Sequence, residues 1–113
     1  MSEKEIIKSQ LRILLEKLFN EKGISITKIV IFGSFAEDKL KEGSDIDVIV
    51  VSRDFRGKGI FERVKMISGI GRELVQQFKL PFDLILYSDD EWETQNYTLI
   101  IEAKEKGEVI YSQ

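Results

Sequence analysis

Three acids and one Gly-Ser pair are the residues of this chain whose types and spacing can do chemistry. Asp45 and Asp47 head the run Asp45-Ile46-Asp47-Val48-Ile49-Val50-Val51, and Asp83 sits inside Phe82-Asp83-Leu84-Ile85-Leu86-Tyr87. Gly33-Ser34 closes the apolar stretch Ile29-Val30-Ile31-Phe32, ten residues ahead of Asp45. Strand side chains alternate faces, so Asp45 and Asp47 point the same way, about 7 Å apart at Cβ. Two unpaired carboxylates on a buried strand are costly, because each must be desolvated while repelling the other. A divalent cation resolves both penalties. If Asp83 lies on the strand next to Asp47, three carboxylates can hold two ions about 3.5–4 Å apart, an arrangement suited to in-line phosphoryl displacement. Glycine lets the backbone approach a phosphate, and the serine hydroxyl can donate to it.

Each part also has a plainer reading. Asp45 follows Gly43-Ser44 and can be a turn residue feeding a strand. Asp47 and Asp83 can pair with lysines on edge strands. An isolated Gly-Ser after a strand is more often an ordinary turn than a phosphate cradle. Arg53, Arg56, Lys58, Arg63 and Lys65 follow the second apolar run and can meet phosphate or an acidic surface, or form a solvated loop and helix start. Arg53 and Lys58 are the members of this cluster to test.

Composition narrows the chemistry. The chain has 113 residues, enough for one domain spanning 1–113. It has no cysteine and no histidine, which removes thiolate chemistry, disulfides, the commonest neutral base and the commonest zinc ligand. A bound metal should therefore be a hard cation on carboxylates, Mg²⁺ or Mn²⁺. Seventeen basic and twenty acidic residues give a charge of -3, which argues against a general nucleic-acid binder. No apolar run is long enough to span a bilayer, and the start Met1-Ser2-Glu3-Lys4-Glu5 has no signal core behind it, so the expected location is the cytoplasm.

The elements that must position these residues follow from periodicity. Ile7, Leu11, Leu14, Leu15 and Leu18 form one stripe of a helix over residues 3–21, with Ser2 and Glu5 as a capping box and Asn20 and Gly23 as the stop. Strands are predicted at 28–32, 46–51 and 82–87, the last opened by Pro81. A short helix can start near Ser34. Residues 52–59 read as a loop. One long helix is predicted from Ile60 to Phe78, with Phe61, Val64, Ile67, Gly71, Leu74 and Phe78 on one face, and Gly69 and Gly71 either allowing close packing or marking a break. A further, irregular helix is predicted from Asp89 to Lys106, then a short edge strand at 109–111. Trp92 and Tyr97 are core or partner-facing; their spacing does not choose. The expected class is α/β (α+β), a small mixed sheet with helices packed against it.

A strand ending in Gly33-Ser34, a gap of ten residues, then Asp45-Ile46-Asp47 among apolar residues resembles the nucleotidyltransferase fold shared with DNA polymerase beta. The chain is most similar to the minimal nucleotidyltransferase, or MNT, group, over about residues 27–87 by motif. The resemblance implies that Gly33 and Ser34 contact nucleotide phosphates and that Asp45 and Asp47 bind divalent metal. It also implies that Asp83 joins them and serves as general base. An acceptor hydroxyl then attacks the alpha-phosphoryl group of a nucleoside triphosphate such as ATP, and pyrophosphate leaves. Many members read Gly-Ser-x-Ala-Arg-Gly. Here Phe35-Ala36-Glu37-Asp38 follows the Gly-Ser, with acids where a cation would help hold triphosphate, and Lys39 and Lys41 are the nearby residues able to compensate.

The resemblance further implies a helical HEPN-type partner protein. In characterised pairs that partner is an RNase toxin, and the MNT protein is its antitoxin, able to attach AMP to a tyrosine. Three functions are therefore expected in turn: NMP transfer to a partner protein, a non-catalytic antitoxin or regulatory subunit, and transfer to a small molecule. The last would need a pocket completed by a homodimer or hetero-oligomer.

Overall fold

The computed structural model describes residues 2–33, 35–36 and 45–113. The chain forms α1 (Glu3–Glu21), β1 (Lys28–Phe32), β2 (Ile46–Val51), a single 3₁₀ turn at Arg53–Phe55, α2 (Ile60–Met66), α3 (Ile70–Phe78), β3 (Phe82–Tyr87), α4 (Asp89–Thr94), α5 (Thr98–Lys106) and β4 (Glu108–Ser112). The four strands make one mixed sheet in the order β3-β2-β1-β4. β1 runs antiparallel to β2 and β4, and β2 runs parallel to β3.

Alternation along the strands divides the core between the two faces of the sheet. Ile29, Ile31, Ile46, Val48 and Val50 pack against Leu11, Leu15 and Phe19 of α1 and Ile70 and Leu74 of α3. Val30, Phe32, Ile49 and Val51 pack on the other face against Trp92, Ile100 and Ala103, so α4 and α5 cover that side. β2 is central and buried on both faces apart from Asp47, as its nearly continuous apolar run predicts. Helix α1 begins where predicted, with the Ser2 hydroxyl accepting from the Glu5 N–H. Its buried Lys8 reaches Glu108 at 2.7 Å and pins the helix to the edge strand β4. Among the described residues no helix is long and apolar enough to cross a membrane.

The predicted helix from Ile60 to Phe78 is two helices. Gly69 adopts φ +91, a left-handed conformation, and caps α3 after a turn at Ile67 and Ser68. This break turns α3 so that Ile70 and Leu74 enter the core, and it reverses the expectation for α2. Phe61 and Val64, predicted to face inward, are 85% and 55% exposed, as is Ile60 at 76%, while Arg63 is buried. The reason is electrostatic and geometric. Arg63 donates to the carbonyls of Lys58 and Leu86 and to the Glu91 carboxylate at 2.6 Å, and its guanidinium lies over the Phe55 ring. One cation satisfies groups on three segments, and α2 turns its polar side inward to make those bonds. The predicted helix over 89–106 is likewise divided, with Gln95 extended between α4 and α5. Residues 52–59 contain the 3₁₀ turn rather than an open loop throughout, because Phe55 is drawn fully into the core.

Candidate functional site

Strand directions bring the singled-out residues to one end of the sheet. β1 ends at Phe32, opposite Asp47 near the start of the antiparallel β2. Asp47 is in turn aligned with Asp83 on the parallel β3. Gly33, Asp47 and Asp83 therefore stand side by side across three strands, with the two aspartate backbones about 5 Å apart. Asp45 lies just before β2 and is exposed at the rim. Asp83 is exposed, and Asp47 between them is half-buried.

Two observations define the centre of the site. Gly33 has φ +75, and a side-chain carbon built on it would collide with the Asp47 Oδ2 atom. Glycine adopts this backbone without strain and leaves room for the carboxylate where it stands. Burial raises the Asp47 carboxyl above its ordinary value, and the charges of Asp83 and then Asp45 raise it further. The site is thus a negatively charged notch whose central carboxylate is penalised for being ionised.

That donor set fits a hard divalent cation in its chemistry. It offers carboxylate oxygens alone, clustered tightly enough to repel one another. Among the described residues it is not a preassembled cage, since no three acidic side chains converge on one point. Drawing them together is the work a cation would have to do.

The other singled-out residues separate into two groups. Ser34 and Lys39 lie outside the described residues, as does the short helix expected near Ser34. Arg53 is described, exposed, and not brought to the acids. It follows the far end of β2, and Asp47 is already about 13 Å from Val51 at 3.3 Å per strand residue. Lys58, in the same cluster, is exposed beside it, and its carbonyl accepts from Arg63. Sequence reasoning missed Lys4, on the first turn of α1, whose Nζ reaches the Ala36 carbonyl at 3.4 Å. It also missed the burial of Arg63. Neither had a local signal: both depend on which element packs on which.

Further along the exposed edge of the sheet, the acids give way to an apolar groove of about 490 Å³ between α2, β3 and Tyr97. Ile60, Val64, Leu84, Tyr87 and Tyr97 line it, with the Arg63–Glu91 pair in its floor. Ile85 and Tyr87 share the face of β3 that carries Asp83, by strand alternation. The Tyr87 and Tyr97 rings lie 6.1 Å apart.

The nucleotidyltransferase domain family matches residues 10–109 of the chain. No curated protein matches it. Among solved structures, one proposed to be a nucleotidyltransferase, from Sulfolobus solfataricus, superposes with a TM-score of 0.60 at 16% identity, covering 100% of this chain and 90% of that one. A toxin–antitoxin structure with AMP-PNP gives 0.64 at 18% identity, over 88% and 72% of the two chains. A tri-AMPylated HEPN toxin in complex with MNT antitoxin, from Shewanella oneidensis, gives 0.63 at 15% identity, over 97% and 73%. At these identities the likeness is one of fold.

Proposed function

Because the chain belongs to the nucleotidyltransferase domain family, we propose that it transfers a nucleoside monophosphate, AMP from ATP, to a hydroxyl group of a partner protein, and that this partner is a HEPN-type toxin for which it is the antitoxin. The observation that carries the reading is the alignment of Asp47 with Asp83 beside the Gly33 turn, at one end of the sheet. The solved relatives with AMP-PNP and with an AMPylated toxin support the choice of nucleotide and partner.

Each residue has a role in this reading. Gly33 and Ser34 hold the phosphates through backbone N–H groups and the serine hydroxyl, with Lys39 as the neighbouring cation. Asp45 and Asp47 are the anchors for Mg²⁺. When bound, Mg²⁺ would neutralise charge on the phosphate oxygens and align the attacking and leaving groups. Asp83, exposed on the outer strand, receives the acceptor hydroxyl and takes its proton as the new O–P bond forms. The bond to the beta-phosphate breaks, and pyrophosphate carries away the electron pair. Arg53 has no part in this step, because it lies at the other end of β2.

In this reading the acceptor arrives from the side of the exposed Asp83, on the same strand whose later residues line the groove. The outward Phe61, Ile60 and Val64 give a partner protein apolar surface to cover. The same surface serves the alternative reading, an antitoxin that only binds, so the decisive test is chemical. The chain is incubated with Mg²⁺, alpha-labelled ATP and the candidate partner, with gamma-labelled ATP and the Asp47→Asn variant as controls. Partner labelling from the alpha label alone, lost in the variant, supports transfer. A stable complex without labelling supports binding only.

A further inference from the structure

The fold sorts the basic run that follows β2 into cations that are engaged and cations that are free. Arg56 donates to both carboxylate oxygens of Asp89 and reaches Asp90 at 3.5 Å. Arg63 is paired with Glu91 at 2.6 Å. Arg53, Lys58 and Lys65 are exposed, and their side chains make no ion pair or hydrogen bond among the described residues. The neighbouring acids are turned to the backbone: Asp54 accepts from the Ser25 N–H at 2.8 Å, and Glu62 from the Gly59 N–H at 3.4 Å. In a chain of net charge -3, this surface keeps free positive charge.

Between Lys58 and Lys65 stand Ile60, Phe61 and Val64, all exposed. At about 100° per residue the three share one face of α2, Lys65 borders that face beyond Phe61, and Glu62 falls on the opposite side. The face continues into the groove, whose other wall is Tyr97. The groove's floor excludes one kind of occupant. A strand adding to the edge of β3 would need the outward carbonyl of Leu86, and the Arg63 guanidinium already stands 3.1 Å from that oxygen. The surface therefore offers side chains rather than backbone, which suits a helix laid along it. A nucleic acid would meet the cations but leave Ile60 and Val64 without an apolar counterpart.

We propose that α2 and the groove beside it dock an amphipathic helix of a partner protein, one whose apolar stripe is flanked by acidic residues. The stripe covers Ile60, Phe61 and Val64, and the acids meet Lys58 and Lys65. The proposal rests on the partner half of the reading above and does not need transfer.

The test follows binding kinetics to the candidate partner of the transfer assay, for the full chain and for Lys58→Glu/Lys65→Glu, Lys58→Arg/Lys65→Arg and Phe61→Ser. Charge reversal should weaken binding roughly tenfold or more, chiefly through slower association, and the gap should narrow at high salt. The arginine pair should bind as the parent does. Phe61→Ser should weaken binding roughly tenfold through faster dissociation. All four proteins should melt close together, because the altered side chains are exposed. A synthetic peptide with a leucine stripe at helical spacing and glutamates on both flanks should compete with the partner, and its lysine-flanked counterpart should not.

Unchanged binding on charge reversal or in Phe61→Ser overturns the proposal, as does competition by both peptides or by neither. A labelled single-stranded RNA that binds the parent, is lost on charge reversal and is kept in Phe61→Ser would make the surface a nucleic-acid site instead. Dimerisation of the chain alone in sedimentation, lost in Phe61→Ser, would make the occupant a second copy. A partner that binds in this charge-dependent way but is never labelled leaves the docking standing and overturns transfer alone. A parent chain that does not bind the candidate partner overturns the partner reading together with the proposal.

Discussion

At the scale of single residues, the raised carboxyl of Asp47 has a consequence for stability. An acid whose folded pKa lies above its unfolded value costs the fold when ionised. That cost is fully present above the folded pKa, shrinks as pH falls through it, and disappears below the ordinary value of 3.8. Asp47→Asn removes the cost. In the absence of metal, the variant should therefore melt above the parent at neutral pH, and the two curves should meet as the pH is lowered toward 3.8. If Asp47 anchors the cation as proposed, the same change should reduce transfer roughly 10²–10³-fold or more. A variant more stable yet inactive distinguishes a functional carboxylate from a structural one, which would lose stability instead. Gly33→Ala is the complementary case. The new side-chain carbon meets both an unfavourable backbone at φ +75 and the Asp47 carboxylate, so a loss of about 1–3 kcal/mol in urea unfolding is expected, with nucleotide binding lost as well.

At the scale of elements, α2 is where sequence pattern and structure part. Phe61, Val64 and Ile67 lie at helical spacing, and hydrophobic periodicity places all three in the core, but only Ile67 reaches it. The structure instead buries Arg63, because a guanidinium can satisfy the Leu86 carbonyl at the sheet edge and Glu91 on α4 at once, and Gly69 breaks the helix so that α2 and α3 need not share a face. The break was one of the two readings that Gly69 and Gly71 offered, but no window along the sequence reports the burial of Arg63, whose partners Leu86 and Glu91 lie more than twenty residues away. The acids were legible for the opposite reason. Strand alternation is local, and an Asp inside an apolar run stands out from the residues on either side of it. Two outcomes test the α2 arrangement. Arg63→Met should cost about 2 kcal/mol by urea unfolding, since Glu91 is left without its cation in a partly buried place, whereas a surface ion pair would cost less than about 1 kcal/mol. Phe61→Ser should leave stability within about 0.5 kcal/mol, because the ring is 85% exposed, but weaken capture of the partner protein in a pull-down. If Phe61→Ser destabilises the isolated chain, the ring is a core group after all.

For the whole molecule, the sheet order decides what the notch can do. An antiparallel β1–β2 pair followed by a parallel β2–β3 pair puts the end of one strand and the starts of two others at the same edge, so the turn at Gly33 and the two aligned aspartates meet there. That topology was only partly legible: the element order suggested a mixed sheet, but the pairing of Asp47 with Asp83 required β3 to lie beside β2. It also leaves the carboxylates splayed in the isolated chain, with no three converging among the described residues. Ligand binding and stability are then linked. At a nucleotide and Mg²⁺ concentration about 100-fold above Kd, binding adds about 2.7 kcal/mol to the folded state. For a domain of this size that corresponds to a rise in melting temperature of roughly 10 °C or more. Mg²⁺ must displace a proton from Asp47 once the pH falls through its raised pKa, so the rise should shrink on acidification within a range where the parent without ligand is becoming relatively relieved of its own repulsion. Melting curves with and without Mg²⁺ and AMP-PNP, taken from neutral pH down toward 4, should converge in the parent. In Asp47→Asn the ligand-induced rise should already be small at neutral pH and vary little. A rise of equal size in parent and variant at every pH would mean that the nucleotide, if it binds, binds elsewhere than at the notch.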